Sequence, residues 1–244
     1  MEKFIATLKN GLYQTFVLNN NYMYFVRGIR VTLVVTIAAL ILGLVLGILV
    51  AIVRSAHDQQ SAYKRQNPVL GFFNAICKIY LTVIRGTPSM VQLLIMWFVV
   101  MASMRQEQGN MMFCAILTFG INSGAYIAEI VRGGIMSIDP GQMEAGRSLG
   151  LGYATTMRCV IIPQAFKNVL PALVNECITL LKETSIVTVI GLKDLTKGAQ
   201  IIAGNTYQAI VPYIALAIIY LALVLVLSWL LGKLERRLRA SDRR

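Results

Sequence analysis

The sequence predicts an all-helical integral membrane protein of about five spans, and three observations carry that prediction. Of its 244 residues, 57% are hydrophobic and 14% charged, with a mean hydropathy of +0.66, a balance foreign to soluble globular domains. Long apolar runs alternate with short polar stretches, and the cations gather at the ends of those runs. The net charge of +12 therefore concerns orientation in a bilayer; no basic groove interleaved with aromatics accompanies it to suggest nucleic acid.

The chain divides into an N-terminal interfacial segment (1–21), a transmembrane domain (22–236) and a basic tail (237–244). In the first, Phe4, Ile5, Leu8, Leu12, Phe16 and Val17 recur at near-helical spacing, without the sustained apolar core and small-residue cleavage site of a signal peptide. The first span covers 28–53, where Gly43 and Gly47 form a G-x-x-x-G pair suited to close helix packing within the chain. Polar sequence follows over 54–68, and its histidine, His57, reads as a solvated loop residue with no metal-ligand partners.

Residues 69–104 would make one helix of about 54 Å, against a hydrocarbon core of about 30 Å. Pro88 disfavours helix at Thr87, so the run is expected to split into an amphipathic elbow (69–84) and a short second span (88–104). A third span (111–131) leads to a polar-basic island, 137–163. A fourth span (167–190) follows, then a mixed segment (191–207) read as a re-entrant or outer-surface helix, and a fifth span (210–231). Cys77, Cys114, Cys159 and Cys177 form no CxxC pair, so neither a disulfide framework nor a zinc site is expected.

Charge then orients the chain. Arg54, Lys64, Arg65, Lys78 and Arg85 lie on one side, with Arg132, Arg147, Arg158 and Lys167 around the island and Lys233, Arg236, Arg237, Arg239, Arg243 and Arg244 at the end. The other side holds Lys3, Lys9, Arg27, Arg30, Arg105, Lys182, Lys193 and Lys197. The positive-inside rule puts the island and the C-terminus in the cytoplasm and the N-terminus outside.

The island begins as a helix with Asp139 as N-cap, Pro140 at N1, Gln142 at the N3 place of a capping box, and Gly150 as the stop. A connector between spans needs no capped helix, although an amphipathic connector lying on the lipid surface is an alternative. Glu144, Ala145, Gly150, Val160 and Pro163 resemble the EAA loop of bacterial ABC importer permeases, with Gly146 where that pattern has a second Ala and Ile162 where it has Leu. Three further stretches resemble the permeases of polar amino-acid importers, those for histidine, arginine, glutamine, glutamate, cystine and opines: RGTPSMVQLL (85–94), NSGAYIAEIVRGGI (122–135) and LPALVNECITLLKETSIVTVIGL (170–192).

The resemblance implies the type I ABC importer permease fold and a place in the bacterial inner membrane. It makes Gln142, Glu144, Ala145, Arg147, Gly150 and Pro163 the residues that couple to an ATPase. It also implies the partners: two ABC ATPase subunits, a second permease that is an identical copy or a paralogue, and an extracytoplasmic substrate-binding protein. No catalytic residue, metal or cofactor is expected on this chain, which lacks the Walker sequence G-x-x-x-x-G-K-[ST]; ATP and Mg would sit on the partner ATPase.

Ionisable residues within spans are costly and mark wet cavities or partners. Glu176 and Glu183, seven residues apart on the fourth span, share a helix face and could present two carboxylates to an amino acid's ammonium group; the alternatives are a structural hydrogen bond across a helix interface for Glu176 and solvation near the outer interface, beside Lys182, for Glu183. Thr87 and Gln92 follow the break in the second span, and Asn122 lies on the third; with the two glutamates they are the candidate substrate-pathway residues. Glu129 stands one turn before Arg132 and is expected to pair with it. An ion-coupled secondary transporter or a channel is the alternative function, but no internal repeat supports the first.

Overall fold

The computed structural model describes residues 10–62 and 67–240, with the side chains of 59–62 and 238–240 left undescribed. Lys3, Lys9, Lys64, Arg65, Arg239, Arg243 and Arg244, counted in the charge assignment above, lie outside the described residues or side chains. So do residues 1–9 of the N-terminal interfacial segment and the end of the basic tail. In the described part of the former, helix over 10–12 runs into a π turn (Tyr13–Val17) and then a 3-10 turn (Leu18–Asn20), where Asn19 and Asn20 take positive φ of 50° and 57°. Asparagine tolerates that region better than most residues, so the chain turns there before α1 begins at Tyr22.

Among the described residues every regular element is helical: α1 (Tyr22–Ala62), α2 (Pro68–Gly86), α3 (Ser89–Ile95), α4 (Gln108–Met136), α5 (Pro140–Ser148), α6 (Tyr153–Thr156), α7 (Ile162–Glu183), α8 (Leu195–Thr206) and α9 (Ile210–Ala240). A π turn, Met96–Val100, continues α3, another, Met157–Ile161, joins α6 to α7, and a 3-10 turn, Thr184–Ile190, follows α7. Among the described residues four helices are long and apolar enough to cross a bilayer, over Tyr22–Asp58, Pro68–Gly86, Gln108–Met136 and Ile210–Arg237. The expected fourth span corresponds to α7, whose 22 residues suffice in length but include Lys167, Asn168, Asn175, Glu176, Lys182 and Glu183.

At about 1.5 Å per residue, α1 is about 60 Å long, twice the thickness of a hydrocarbon core. No Gly or Pro interrupts 52–67, so the helix runs on past the apolar stretch, and His57 lies on it rather than in a loop. Its side chain faces Asp58, Nδ1 to Oδ1 3.8 Å. Along α1, Ile37, Ile41, Val45, Leu49 and Ile52 are exposed at helical spacing, the stripe a lipid-facing helix requires.

The chain folds as two compact units. The first comprises the described part of Met1–Ala39 with Ser89–Thr118 and Ile178–Ser228. Its core is Phe25, Leu195, Ala199, Ile202 and Ala215. A Cβ on Gly28 would lie 2.6 Å from Leu195 Cα and 2.8 Å from the Asp194 carbonyl oxygen, and one on Gly198 would lie 2.9 Å from the Tyr24 carbonyl oxygen. Glycine at both positions therefore lets the backbones of α1 and α8 meet directly.

Asp194 caps α8 by accepting from Thr196 N at 3.1 Å and Lys197 N at 2.9 Å, and the Leu195 amide donates to Thr32 Oγ1. Burial pushes the Asp194 carboxyl above the ordinary carboxylate range, against the pull of the Lys197 and Thr196 amides. Gln108 clasps the preceding turn, donating to the Gly191 carbonyl at 3.2 Å and accepting from Lys193 N at 2.8 Å. Gly191 there has φ of 89°, a left-handed position that suits glycine.

The second unit comprises Leu40–Pro88, Phe119–Cys177 and the described part of Trp229–Arg244. Here Gly43 and Gly47 of α1 meet Gly120 and Gly124 of α4, a second G-x-x-x-G pair. A Cβ on Gly47 would come within 2.6 Å of Ile127 Cγ2 and 2.9 Å of the Gly124 carbonyl oxygen. The motif thus packs within the chain. Leu81, Ala125 and Ala128 form a small core with Val50, Tyr80 and Ile84, and the Tyr80 hydroxyl donates to the Ile121 carbonyl at 2.5 Å.

The break before Pro88 is present: Thr87 is extended, with φ of −120° and ψ of 143°. By length and composition α2 could cross a bilayer, and Ser89–Val100 is the shorter piece. Arg85, near the far end of α2, nevertheless stands 3.8 Å from Glu129, which also holds Arg54 at 2.6 Å. Arg54 lies eight residues before the end of α1, about 12 Å along its axis. The far end of α2 therefore lies beside α1 about 12 Å before that helix ends.

Candidate functional site

The island folds as its sequence directs. Asp139 Oδ1 accepts from Gly141 N at 2.8 Å, Pro140 occupies N1, and α5 ends at Gly150 with φ of 80°. The Leu151 amide bonds to the Gly146 carbonyl and the Gly150 amide to that of Arg147, the paired bonds of a Schellman stop. The Gln142 side chain, expected to close a capping box, instead accepts from Gln164 Nε2 at 3.4 Å, which ties α5 to the start of α7. Asn168 Nδ2 adds a bond to Ser137 Oγ at 3.0 Å, beside a groove of about 550 Å³ lined by Glu129, Gly133, Gly134, Asn168 and Val169.

Met143 and Gly146 form the buried face of α5, while Gln142, Glu144, Ala145, Arg147 and Ser148 are exposed; Gly150 and Pro163 are exposed as well. Past the last turn, Leu149 is 81% exposed, an apolar side chain with nothing over it. Sequence reasoning passed it by, because one leucine in a helix looks like packing until its direction is known.

The glycine that departs from the resembling pattern has a cause in the packing. A Cβ on Gly146 would lie 2.5 Å from Thr156 Cγ2 and 2.8 Å from its Oγ1, and Thr156 is wholly buried. Gly146→Ala gains about 1 kcal/mol of helix propensity but overpacks a site that costs about 1–3 kcal/mol to strain. We expect a lowered melting midpoint for the variant; a midpoint at or above the wild-type value would show that the island relaxes freely.

The pathway candidates fall in both units. In the second, Glu176 is half-buried and accepts from Ser123 Oγ at 2.7 Å, and Asn122 is buried next to that serine in the chain. Thr87 is exposed and its hydroxyl donates to the Val83 carbonyl at 2.8 Å. In the first, Gln92 and Glu183 are half-buried, Glu183 at the junction of α7 with the 3-10 turn. Glu176 and Glu183 share one continuous helix, two turns apart and on one face.

Glu129 does pair with Arg132, at 3.3 Å, and the pair belongs to a larger cluster that the sequence did not disclose. Arg54 donates to Glu129 Oε1 at 2.6 Å, Arg85 approaches Oε2 at 3.8 Å, and Arg132 reaches Asp58 Oδ2 at 3.1 Å. Among the described residues no group of His, Cys, Asp and Glu could hold a metal ion, and the four cysteines are free thiols.

Comparison with known proteins gives one family and several relatives. The family model described as binding-protein-dependent transport system inner membrane component matches residues 69–240. The chain is 40% identical over 186 residues to the arginine transport system permease protein ArtQ of Bacillus subtilis (strain 168), covering 71% of this chain and 84% of that protein. It is 43% identical over 167 residues to the glutamine transport system permease protein GlnP of Escherichia coli (strain K12), covering 68% and 76%. A solved structure of an amino acid ABC transporter with histidines superposes with a TM-score of 0.76 at 41% identity, over 88% of this chain and 94% of that one. The MetNI methionine ABC transporter, at 21% identity and a TM-score of 0.71 over 89% and 97%, shares the fold.

Proposed function

We propose a function from the premise that this chain belongs to the binding-protein-dependent transport system inner membrane components: its cargo is a polar amino acid, imported into the cytoplasm by alternating access. The chain is a permease subunit of an ABC importer, a multi-pass membrane protein and not an enzyme. ATP is hydrolysed by a separate ATPase subunit. For the cargo, the relatives named for arginine and glutamine point to α-amino acids with polar side chains.

In this reading two ATPases, with ATP and Mg²⁺, engage this chain and a second permease, an identical copy or a paralogue, while an extracytoplasmic binding protein delivers cargo. The N-terminus is outside and the C-terminus in the cytoplasm. Closure of the ATPases on ATP moves α5, and the paired spans open outward; hydrolysis restores the inward-facing state. Glu176 and Glu183 draw the cargo's ammonium group along a passage to which Thr87, Gln92 and Asn122 contribute polar groups.

One observation carries the proposal: α5 is capped at both ends and turns Glu144, Ala145, Arg147 and the bare Leu149 outward, a rigid knob on a chain without a nucleotide-binding sequence of its own. Glu144→Lys and Leu149→Asp are expected to abolish co-purification of the ATPase while leaving the melting midpoint of the permease unchanged. Undiminished co-purification in both would remove α5 from the docking surface. Cys159, exposed in the island, reports its side: an impermeant maleimide should label it in inside-out vesicles and not in right-side-out ones. Labelling from the outside would reverse the topology, and uptake driven by an ion gradient without the ATPase would favour a secondary transporter.

A further inference from the structure

The charge cluster in the second unit lies outside both the knob and the substrate pathway, yet its members sit where those parts begin. Three guanidiniums, of Arg54, Arg85 and Arg132, face two carboxylates, of Asp58 and Glu129. They come from three helices: Arg54 and Asp58 from α1, Arg85 from α2, Glu129 and Arg132 from α4. Arg132 is four residues before the end of α4, and the Asp139 cap of α5 follows that end by three residues. Arg85 immediately precedes the Gly86–Pro88 break, and its guanidinium also lies 5.6 Å from the centre of the Tyr126 ring.

The contacts are graded. Arg54 and Glu129 are close and sheltered, at 2.6 Å with side chains 15% and 23% exposed. Arg85 is 43% exposed and stands 3.8 Å from a carboxylate oxygen that Arg132 already engages. A pair so exposed and so loose adds little to folding. Removing it should leave the helices in place. What it does provide is a directional tie between the end of α4 that leads into α5 and the end of α2 that leads into the break.

We propose that Glu129 and Arg85 are positioning residues that carry the displacement of α5 to the Gly86–Pro88 break, so that the Arg85–Glu129 contact sets how tightly amino-acid movement is coupled to ATP hydrolysis. The relay rests on the importer function proposed above. Glu129, gripped on one oxygen by Arg54 and on the other by Arg132, moves with both α1 and α4. Arg85 follows it through charge attraction and the Tyr126 ring, and the extended Thr87 next to it is where the backbone can yield.

The test is the number of ATP molecules hydrolysed per amino acid taken up by the whole complex in proteoliposomes, with arginine and glutamine each supplied as cargo. Arg85→Gln is expected to raise that ratio severalfold, up to about fivefold, the limit set by an exposed ion pair, with ATPase association and melting midpoint unchanged. Arg85→Lys, which keeps the charge, should recover most of the coupling. Glu129→Asp should lie between wild type and Glu129→Gln. A wild-type ratio in Arg85→Gln overturns the relay, as does an equal loss in Arg85→Lys. A wild-type complex that takes up neither amino acid under ATP would instead overturn the function on which the relay rests.

Discussion

Glu176→Gln and Glu183→Gln are each expected to raise the amino-acid concentration for half-maximal uptake about tenfold to a hundredfold, with the ATPase still bound. The magnitude is that of one charge-assisted hydrogen bond, about 1.5–3 kcal/mol, at about 1.4 kcal/mol per decade. The substitution isolates charge from structure. A glutamine at 176 keeps an oxygen able to accept from Ser123 Oγ, now 2.7 Å from the carboxylate, so the tie between α7 and α4 survives. A purely structural glutamate would tolerate that exchange; one that holds an ammonium group would not. Uptake kinetics in reconstituted complexes decide the matter, and wild-type affinity in both variants would leave the two carboxylates as packing groups.

Gly28→Val is expected to cost the first unit more than any surface change. The added side chain would meet backbone, with Leu195 Cα at 2.6 Å, Leu195 N at 2.8 Å and the Asp194 carbonyl oxygen at 2.8 Å, and backbone cannot swing aside as a side chain can. Overpacking of this kind costs about 1–3 kcal/mol and occasionally more, and here the separation that relieves it also breaks the Leu195–Thr32 bond at 3.3 Å. We expect poor yield of folded protein and a clearly lowered melting midpoint. Gly71→Ala is the control, because a Cβ there meets nothing within 4 Å and α2 gains helix propensity. Equal behaviour of the two variants would mean that α1 and α8 do not depend on their close approach.

Much of the island was legible because its signals are local. Asp139, Pro140 and Gly150 each act on backbone groups within a few residues, and the N-cap bond and Schellman stop appear where those residues are. Gln142 shows the limit: its partner, Gln164, is 22 residues away, and a capping box was the nearest answer that local reasoning could reach. The G-x-x-x-G pair at Gly43 and Gly47 was readable as a packing surface. Its counterpart at Gly120 and Gly124 has the same spacing and could have been read the same way. The charge cluster had only the Glu129–Arg132 turn as a sequence signal; Arg54 and Asp58 lie 75 and 74 residues from their partners.

By itself the sequence determined that this chain is helical and membrane-embedded, where the run before Pro88 breaks, and which loop carries a capped knob. Apolar composition, Pro88 and the caps act through solvation and local backbone geometry, and both are properties of residues close together in the chain. Only the tertiary structure decided that Arg85 returns to the charged end of α1, that Glu176 is held by Ser123, and that Gly146 makes room for Thr156. Each of these depends on which side chains meet across helices, and that is set by the rotation and depth of one helix against another, quantities that hydrophobic periodicity leaves free.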